Sequence, residues 1–518
     1  MFKNVGSNWL VSVVTIIAVY FLTPYTIHKL GDDGYGTWNL VNAITGYLAL
    51  LVLGVPMASV RSFAQHVAKG DVQGLNRAIG SCTVLYLALG AIAALVGVGM
   101  YFLFTAGYQI PAALNHDARV AFVLTVVLVS LGFVALLPNA ILSAHDDFVP
   151  RNVVRLWGVL LRVALTVGLL MLHASLTMLA LVQIACMVFD FGLCWLLVRK
   201  RYPETRIRLS DFDWGLTRAI FGFSFYVLVL NAGARLAFET DSIVIGKYMD
   251  VGSIPYFTVA NSFIIYLMEF LVSIAAVVMP AATRLQTQKK HDELREIFLK
   301  WSKIGLSLTM IAGLYLIVLG PRFIAWWVDP SFERPAGQVL QILMYSYLIF
   351  LPIRGVALPI LMGLGKVGLP TIGFLVAGVI NLVLSIVLVK PLGIAGVALG
   401  TAIPNVLFAI VVFVQACRQL EVSVGTFFRY VVPRAVLGAV PVLALLLWFK
   451  IGLDVRGLLA LAAAGVAMVV VFAAIWVFFV YRNDPYLDLR AALPRMWGRG
   501  GTPTPGAAAG SGAATTRV

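Results

Sequence analysis

The chain has 518 residues, of which 61% are hydrophobic and only 12% are charged, and its mean hydropathy is +0.95. Soluble globular domains do not have this composition, so the sequence predicts an all-α polytopic membrane protein. The formal net charge is +15. In a membrane protein such an excess lies mainly in cytoplasmic loops, so we expect membrane lipids and no nucleic acid as partners.

Apolar segments long enough to cross a bilayer recur along the whole chain and predict about fourteen helices. They lie at 4–28, 34–57, 79–104, 118–143, 153–172, 175–198, 218–247, 254–283, 297–319, 337–362, 368–390, 393–417, 430–450 and 456–481. With the N-terminus inside, 27 of the 38 Lys and Arg residues fall in inside loops and tails, eight fall outside and three lie within helices. This asymmetry predicts that both termini are cytoplasmic.

Two parts of the chain carry matching patterns. A Gly- and Asp-containing loop at 29–36 precedes a helix that is expected to end near Pro56 and Arg61, and a similar loop at 247–252 precedes one that ends near Pro280 and Arg284. Such repeats are typical of alternating-access carriers, whose binding site lies between the two halves. We therefore predict two pseudo-symmetric six-helix bundles plus two extra helices.

The domain boundaries follow from the polar breaks. We predict a six-helix bundle at 1–198, a second bundle at 218–418 and two additional helices at 419–483. Residues 199–217 mix basic and aromatic side chains and are expected to lie along the inner headgroup region as a cytoplasmic linker. The tail at 484–518 lacks a core-forming pattern and is expected to be cytoplasmic and largely disordered.

Charged residues inside apolar segments are the candidate functional groups. The seventh segment contains Arg235, Glu239 and Asp241, and each charge at mid-depth costs about 2.5–3.5 kcal/mol on insertion scales. Arg235 and Glu239 are four residues apart and can pair on one helix face. The segment is thus interpreted either as a paired structural helix or as one wall of a polar, substrate-binding cavity, and we favour the cavity.

The order of the motifs resembles a known family. Leu30-Gly-Asp-Asp-Gly-Tyr-Gly-Thr-Trp38 resembles a signature of lipid-linked oligosaccharide flippases, and Asp241-Ser-Ile-Val-Ile-Gly246 followed by Tyr256 looks like a second-half motif. This is the Wzx-type polysaccharide-transporter branch of the multidrug/oligosaccharidyl-lipid/polysaccharide (MATE-like) superfamily. The resemblance implies a MATE-like fold of two bundles around a V-shaped cavity. It further implies an ion-coupled carrier of undecaprenyl-diphosphate-linked oligosaccharide in the bacterial inner membrane. It also implies pathway partners such as a polysaccharide polymerase or export machinery.

Arginine suits a diphosphate because its guanidinium offers a planar fork of donors. The candidate substrate-binding residues are Arg235, Arg354, Arg162, Arg61, Arg284 and Asn231. The candidate ion-coupling residues, for either H⁺ or Na⁺, are Glu239, Asp241, Glu269 and Asp190. The structural alternative pairs each arginine with a carboxylate, most plausibly Arg162 with Asp190. For Arg61 and Arg284, at helix ends, it is contact with lipid headgroups.

Two other function classes stay open. A drug or cation antiporter of the same fold would favour acidic and aromatic cavity residues over intramembrane arginines. A glycan polymerase or acyltransferase would be expected to have a large outside loop or a buried histidine, whereas all six histidines lie in loops or at helix ends. The four cysteines form no CxxC pair, and no GxxxxGK[ST] phosphate loop occurs. We therefore predict no enzyme, no bound cofactor and no metal site.

Overall fold

The computed structural model describes residues 2–52, 54–218, 232–233, 235–236 and 239–487, and all regular secondary structure in these residues is helical. The helices of the first half are α1 (Phe2–Gly46), α2 (Val55–Lys69), α3 (Val72–Gly107), α4 (Ala112–Ala144), α5 (Phe148–Leu172) and α6 (Leu176–Arg201), with a 3₁₀ turn at Tyr47–Val52. Helix α1 bends sharply at Gly31, whose φ of +72° is accessible to glycine at little cost. The bend divides α1 into two arms.

The second half begins within the described residues at α7 (Asp241–Tyr248). The helices that follow are α8 (Ile254–Thr287), α9 (His291–Val318), α10 (Gly320–Trp327), α11 (Pro335–Pro352), α12 (Leu358–Gly363), α13 (Gly368–Leu392), α14 (Ile394–Gln419), α15 (Val424–Leu447) and α16 (Leu458–Ile475). Short π-helical turns lie at Ile353–Ala357, Trp448–Gly452 and Trp476–Val480, and 3₁₀ turns at Leu209–Asp211, Val251–Ser253 and Pro330–Phe332.

Twelve helical segments of the described chain are long and apolar enough to cross a membrane. The first of them, Leu10–Lys69, contains both arms of α1 and α2, and therefore covers two of the predicted spans. The predicted seventh span at 218–247 falls largely outside the described residues. The prediction of an all-α polytopic protein with about fourteen crossings agrees with this count.

The helices pack in two groups that meet along α1. Helices α1 to α6 contact one another, as do α8, α9, α11, α13 and α14, while α15 and α16 pack on α9. Helix α1 contacts α7, α8 and the 3₁₀ turn at Val251–Ser253. At Gly36 a Cβ would lie 1.8 Å from the carbonyl oxygen of Val251, so the two halves approach there at backbone distance.

One predicted boundary is wrong. The sequence suggested that the second spanning helix ends near Pro56, but Pro56 lies in the first turn of α2. Proline is well placed there because the first turn of a helix does not use its backbone N–H groups. Helix α2 then continues to Lys69 and ends at Gly70, whose φ is +66°.

The tail and the linker are also better defined than predicted. Residues 484–487, at the start of the predicted disordered tail, lie against the bundle, and Asp484 is buried. The remainder of the tail lies outside the described residues. The linker after α6 is held to α3, because the side chain of Asn76 bonds the backbone of Glu204 and Arg206.

Candidate functional site

A buried carboxylate lies where the described part of the second half begins. Asp241, the first residue of α7, is 2% exposed. Thr401 of α14 donates a 2.9 Å hydrogen bond to Oδ1 of Asp241, and Asn381 of α13 donates a 2.9 Å bond to the Thr401 hydroxyl. Thr240 in turn donates to Oδ1 of Asn381 over 3.2 Å. Neutral groups from separate parts of the chain thus hold this carboxylate, which is a suitable arrangement for binding a proton or a cation.

Arg235 lies six residues before this carboxylate but pairs with a different acid. Its guanidinium forms an ion pair with Glu239, which is the structural alternative considered from the sequence. The side chains of Arg235 and Glu239 are 24% and 44% exposed. A Cβ at Gly46 would lie 2.5 Å from Nη1 of Arg235, so a glycine at the end of α1 lets the guanidinium approach the first half.

Arg354 lies in the π-helical turn that follows Pro352. Single π turns inside helices occur frequently at functional sites because they change the direction of a side chain. The Arg354 guanidinium carbon lies 5.7 Å from the ring centres of both Phe350 and Phe374. Such cation–π contacts orient the charged group and are worth about 0.5–2 kcal/mol each.

Two tyrosines link these charged groups. Tyr47, directly after α1, lies within electrostatic range of Arg235 and Asp241. Tyr347 of α11 lies within electrostatic range of Asp241 and Arg354. The structure therefore gathers Arg235, Asp241 and Arg354 in one region of the second half, and Arg235 borders Gly46 and Tyr47 of the first half. We call this set of six residues the central cluster: Tyr47, Arg235, Glu239, Asp241, Tyr347 and Arg354.

Arg162 and Asp190 do not form the predicted structural pair. Asp190 accepts a 3.2 Å hydrogen bond from Asn139, and no ion pair found in the described part of the chain includes either Arg162 or Asp190. Arg162 instead lines a cavity inside the first half, together with Tyr35 and other polar residues. Its side chain therefore has a different setting from the arginines of the central cluster.

The remaining candidates lie apart from this cluster. Arg61 of α2 and Arg284 near the end of α8 are exposed, as is Glu269 on α8, and none of the three forms an ion pair within the described residues. Asn231 lies outside the described residues. The functional roles assigned to these four positions stay predictions.

Side chains join the two halves at the end of the bundle that carries the bend of α1 at Gly31 and the 3₁₀ turn at Val251–Ser253, and we call this end the loop end. The hydroxyl of Tyr256 donates a 3.0 Å hydrogen bond to Asp32, and the Lys247 ammonium donates a 2.7 Å bond to the carbonyl of Gly107. Each bond connects one half with the other. The loop end is therefore closed by direct contacts.

Sequence reasoning missed a buried ion pair. Lys303 of α9 was not singled out from the sequence, but its side chain is 1% exposed and forms a 2.5 Å ion pair with Asp484, which is fully buried. The rings of Tyr430 and Tyr481 lie 4.7 and 5.0 Å from the ammonium nitrogen. This pair connects α9 and α15 with the chain that follows α16. In the sequence, the only indication of this pair is that Lys303 stands at the start of an apolar run.

The family model described as "Polysaccharide biosynthesis protein" matches residues 1–286, more than half of the chain. The chain belongs to this family. A Shigella flexneri protein named as an O-antigen transporter is 21% identical over 425 residues, which are 79% of this chain and 96% of that protein. An uncharacterised membrane protein of Methanocaldococcus jannaschii is 22% identical over 382 residues, 70% of this chain and 74% of the relative.

Solved structures with the same fold include transporters and a flippase. A multidrug resistance MATE family transporter of the MOP superfamily, in an inward-facing conformation, aligns with a TM-score of 0.66 and 17% identity, covering 79% of this chain and 98% of its own. The lipid II flippase MurJ, in an inward closed conformation, also gives 0.66, with 16% identity, 90% of this chain and 98% of its own. The fold is thus MATE-like, as the motifs predicted, and the protein is a multi-pass membrane protein of the polysaccharide biosynthesis family.

Proposed function

We propose that this protein moves undecaprenyl-diphosphate-linked oligosaccharide units from the inner to the outer leaflet of the bacterial cytoplasmic membrane, for the synthesis of a surface polysaccharide such as O-antigen, exopolysaccharide or capsule. The observation that carries the proposal is the central cluster, where two arginines and a buried carboxylate lie in one region and Tyr47 of the first half lies beside Arg235 and Asp241. A diphosphate in a poorly hydrated cavity needs such cations. Family membership and the O-antigen transporter relative support a glycan-linked substrate.

The two arginines would contribute differently. Arg354 is oriented by Phe350 and Phe374, so its guanidinium would donate to the diphosphate without a large change of its side-chain conformation. Arg235 is neutralised by Glu239, so the diphosphate would replace that carboxylate as its partner. The released Glu239, which is partly exposed, would then be solvated or protonated. Binding of the lipid would thereby change the charge distribution where the two halves meet.

Asp241 is the proposed site of the coupling ion, either H⁺ or Na⁺. The Thr401 hydroxyl bonds Asp241 and is itself bonded by the Asn381 amide, so a hydroxyl oxygen lies beside the carboxylate for either ion. These neighbours come from α13 and α14, so occupation of the site would alter how α7 packs on the second half. In the proposed orientation both termini are cytoplasmic and the loop end faces outwards. The proposal assigns the protein transport and no catalysis.

Export of glycan by cells tests the proposal. In a deletion strain, lipid-linked units should accumulate on the inner leaflet, and the wild-type gene should restore export. Arg235→Ala and Arg354→Ala should each reduce export at least about thirtyfold, because removing one partner of a desolvated charged contact costs about 2–5 kcal/mol. Arg→Lys should restore only part of it, since the ammonium lacks the fork.

Protein levels and a charge swap separate binding from folding. If Arg235 and Glu239 act only as a structural pair, Arg235→Ala should lower the amount of protein, and Arg235→Glu combined with Glu239→Arg should restore it. Arg119→Ala, an exposed arginine at the start of α4, serves as the control for loss of one positive charge. Normal export by Arg235→Ala and Arg354→Ala proteins at normal levels would refute the proposal. Extrusion of cationic drugs without glycan export would favour the antiporter alternative.

A further inference from the structure

A polar cavity lies entirely within the first half, and none of its lining residues belongs to the central cluster. Its volume is about 300 Å³, and it is bounded by both arms of α1, by α5 and by α6. Small-molecule sites begin at about this size. The bend at Gly31 creates the cavity, because it sets the two arms of α1 side by side. Polar and aromatic side chains line it, among them Tyr35, Trp38, Asn39, Asn42, Arg162 and Gln183.

The first arm of α1 supplies hydroxyl oxygens. Thr15, Thr23 and Thr26 each donate their hydroxyl hydrogen to a carbonyl of their own helix four residues earlier. The oxygen lone pairs of these hydroxyls therefore stay available as acceptors. Such a wall suits a ligand that brings many O–H donors.

The second arm contributes amides in the same way. Asn39 and Asn42 donate from Nδ2 to the carbonyls of Tyr35 and Trp38 over 2.9 and 2.7 Å. Their side-chain oxygens can accept hydrogen bonds, while the second N–H of each amide can donate one. The indole of Trp38 and the phenol of Tyr35 add flat apolar surfaces beside these groups. Hydroxyl-binding groups next to aromatic rings are the chemistry that a sugar ring requires.

The charge of the cavity lining limits the class of ligand further. Arg162 of α5 is the one charged residue among the described residues that line the cavity, and it lies within electrostatic range of the Tyr35 phenol. A cation-binding site would need acidic groups, whereas this lining presents a guanidinium. A guanidinium next to amides and hydroxyls matches a carboxylate carried on a sugar.

We propose that this cavity is a subsite for an acidic monosaccharide, a sugar ring bearing a carboxylate, with Arg162 bound to the carboxylate and the amides of Asn39, Asn42 and Gln183 bound to ring hydroxyls. The inference rests on the proposed function, since a glycan carrier is what brings a sugar to this cavity. It adds a substrate class: the transported unit contains an acidic sugar. The central cluster would hold the diphosphate while this cavity holds part of the glycan.

Binding of two simple sugars to the purified full-length protein tests the subsite without any transport. The probes are methyl β-D-glucuronide and methyl β-D-glucoside, which differ in the carboxylate, and saturation-transfer NMR detects weak binding of both. Arg162→Gln should weaken glucuronide binding at least about tenfold, because it removes a charged hydrogen bond, and should leave glucoside binding unchanged. Gln183→Leu should weaken both sugars.

Three controls make the outcome specific. Arg119→Gln should bind both sugars as the wild type does, and Arg162→Lys should recover part of the glucuronide binding. Geranyl diphosphate serves as a probe for the lipid diphosphate, the other anionic group of the substrate. If Arg162→Gln weakens binding of geranyl diphosphate but not of the glucuronide, Arg162 binds the lipid phosphate and the subsite is refuted. Equal glucuronide binding by wild type and Arg162→Gln would also refute it. If glucuronide binding depends on Arg162 but deletion of the protein leaves glycan export intact, the subsite stands and the proposed function fails.

Discussion

Two carboxylates only two residues apart have different surroundings, and this difference separates their roles. Glu239 is partly exposed and pairs with Arg235, whereas Asp241 is buried and bound by Thr401. Loss of a charge at Glu239 would release an arginine, but a proton or cation at Asp241 would leave that ion pair intact. Asp241 is therefore the better candidate for coupling.

We expect Asp241→Asn to fold and to bind substrate but to lose its response to an ion gradient, because an amide cannot take up a proton and binds Na⁺ more weakly. Transport of lipid-linked glycan in vesicles, with an imposed pH or Na⁺ gradient, measures this. Thr401→Val should weaken the response without abolishing it. Asp190→Asn, at the candidate coupling acid of the first half that bonds Asn139, tests whether the response belongs to Asp241 alone. An unchanged gradient response in Asp241→Asn would make Asp241 a structural residue.

The buried pair Lys303–Asp484 should dominate the stability of the last helices. Lys303→Met leaves Asp484 buried without its cation and should lower the free energy of unfolding by about 3–5 kcal/mol, whereas Lys303→Met with Asp484→Leu should regain most of the loss. Lys300→Met on the same helix is the matched control. Thermal unfolding in detergent measures all three, and a stable Lys303→Met protein would contradict the expectation.

The same pair predicts how stability depends on pH. Burial alone would raise the pKa of Asp484, but hydrogen bonds from Lys303, Tyr430 and the Tyr486 backbone outweigh it and hold the pKa below the ordinary 3.8. A lowered carboxyl pKa contributes stability that is present above pH 4 and is lost as the pH falls through the lowered value. The wild type should therefore lose more stability on acidification below pH 4 than the double variant does.

At the scale of helices, hydropathy predicted the spans well because each needs only about twenty local apolar residues. The groups around Asp241 could not be predicted, since Thr401 lies 160 residues away and only tertiary packing brings it near. The pairing of Lys303 with Asp484, 181 residues apart, was missed for the same reason. Pro56 misled the boundary prediction because a proline suits both the end of one helix and the first turn of the next.

The linker between the halves exposes Leu209, Phe212 and Trp214 beside Arg206 and Arg208, while its backbone is held to α3. Apolar side chains next to arginines bind the headgroup region of a bilayer. We expect a nitroxide at Trp214→Cys, in a protein without other cysteines, to lie about 5–10 Å inside that boundary. Paramagnetic relaxation by oxygen and by a water-soluble nickel chelate measures the depth, and a water-exposed label at 214 would contradict membrane contact. Glu204→Cys, on the exposed side of the linker, should report water.

The whole molecule is organised as two helix groups joined along α1 and at the loop end. In an alternating-access carrier the contacts that close one end must separate before substrate can leave there. The hydrogen bond between Tyr256 and Asp32 is one such contact, and it connects the predicted loop at 29–36 with the first turn of α8, just after the predicted loop at 247–252. Its separation is therefore required by the proposed direction of transport, in which the loop end opens outwards.

Covalent closure of the loop end should stop export. We expect a protein without native cysteines that carries Asp32→Cys and Tyr256→Cys to export glycan before treatment. When a short, reducible thiol cross-linker joins the two positions, glycan export should fall at least about tenfold. A reductant should restore export, because the block is a constraint on movement and not damage to the fold. Asp147→Cys with Arg201→Cys places the same cross-link on an ion pair within the first half and should leave export unchanged. Undiminished export by fully cross-linked Asp32→Cys/Tyr256→Cys protein would show that the loop end stays closed throughout transport, and the proposed exit path would then be wrong.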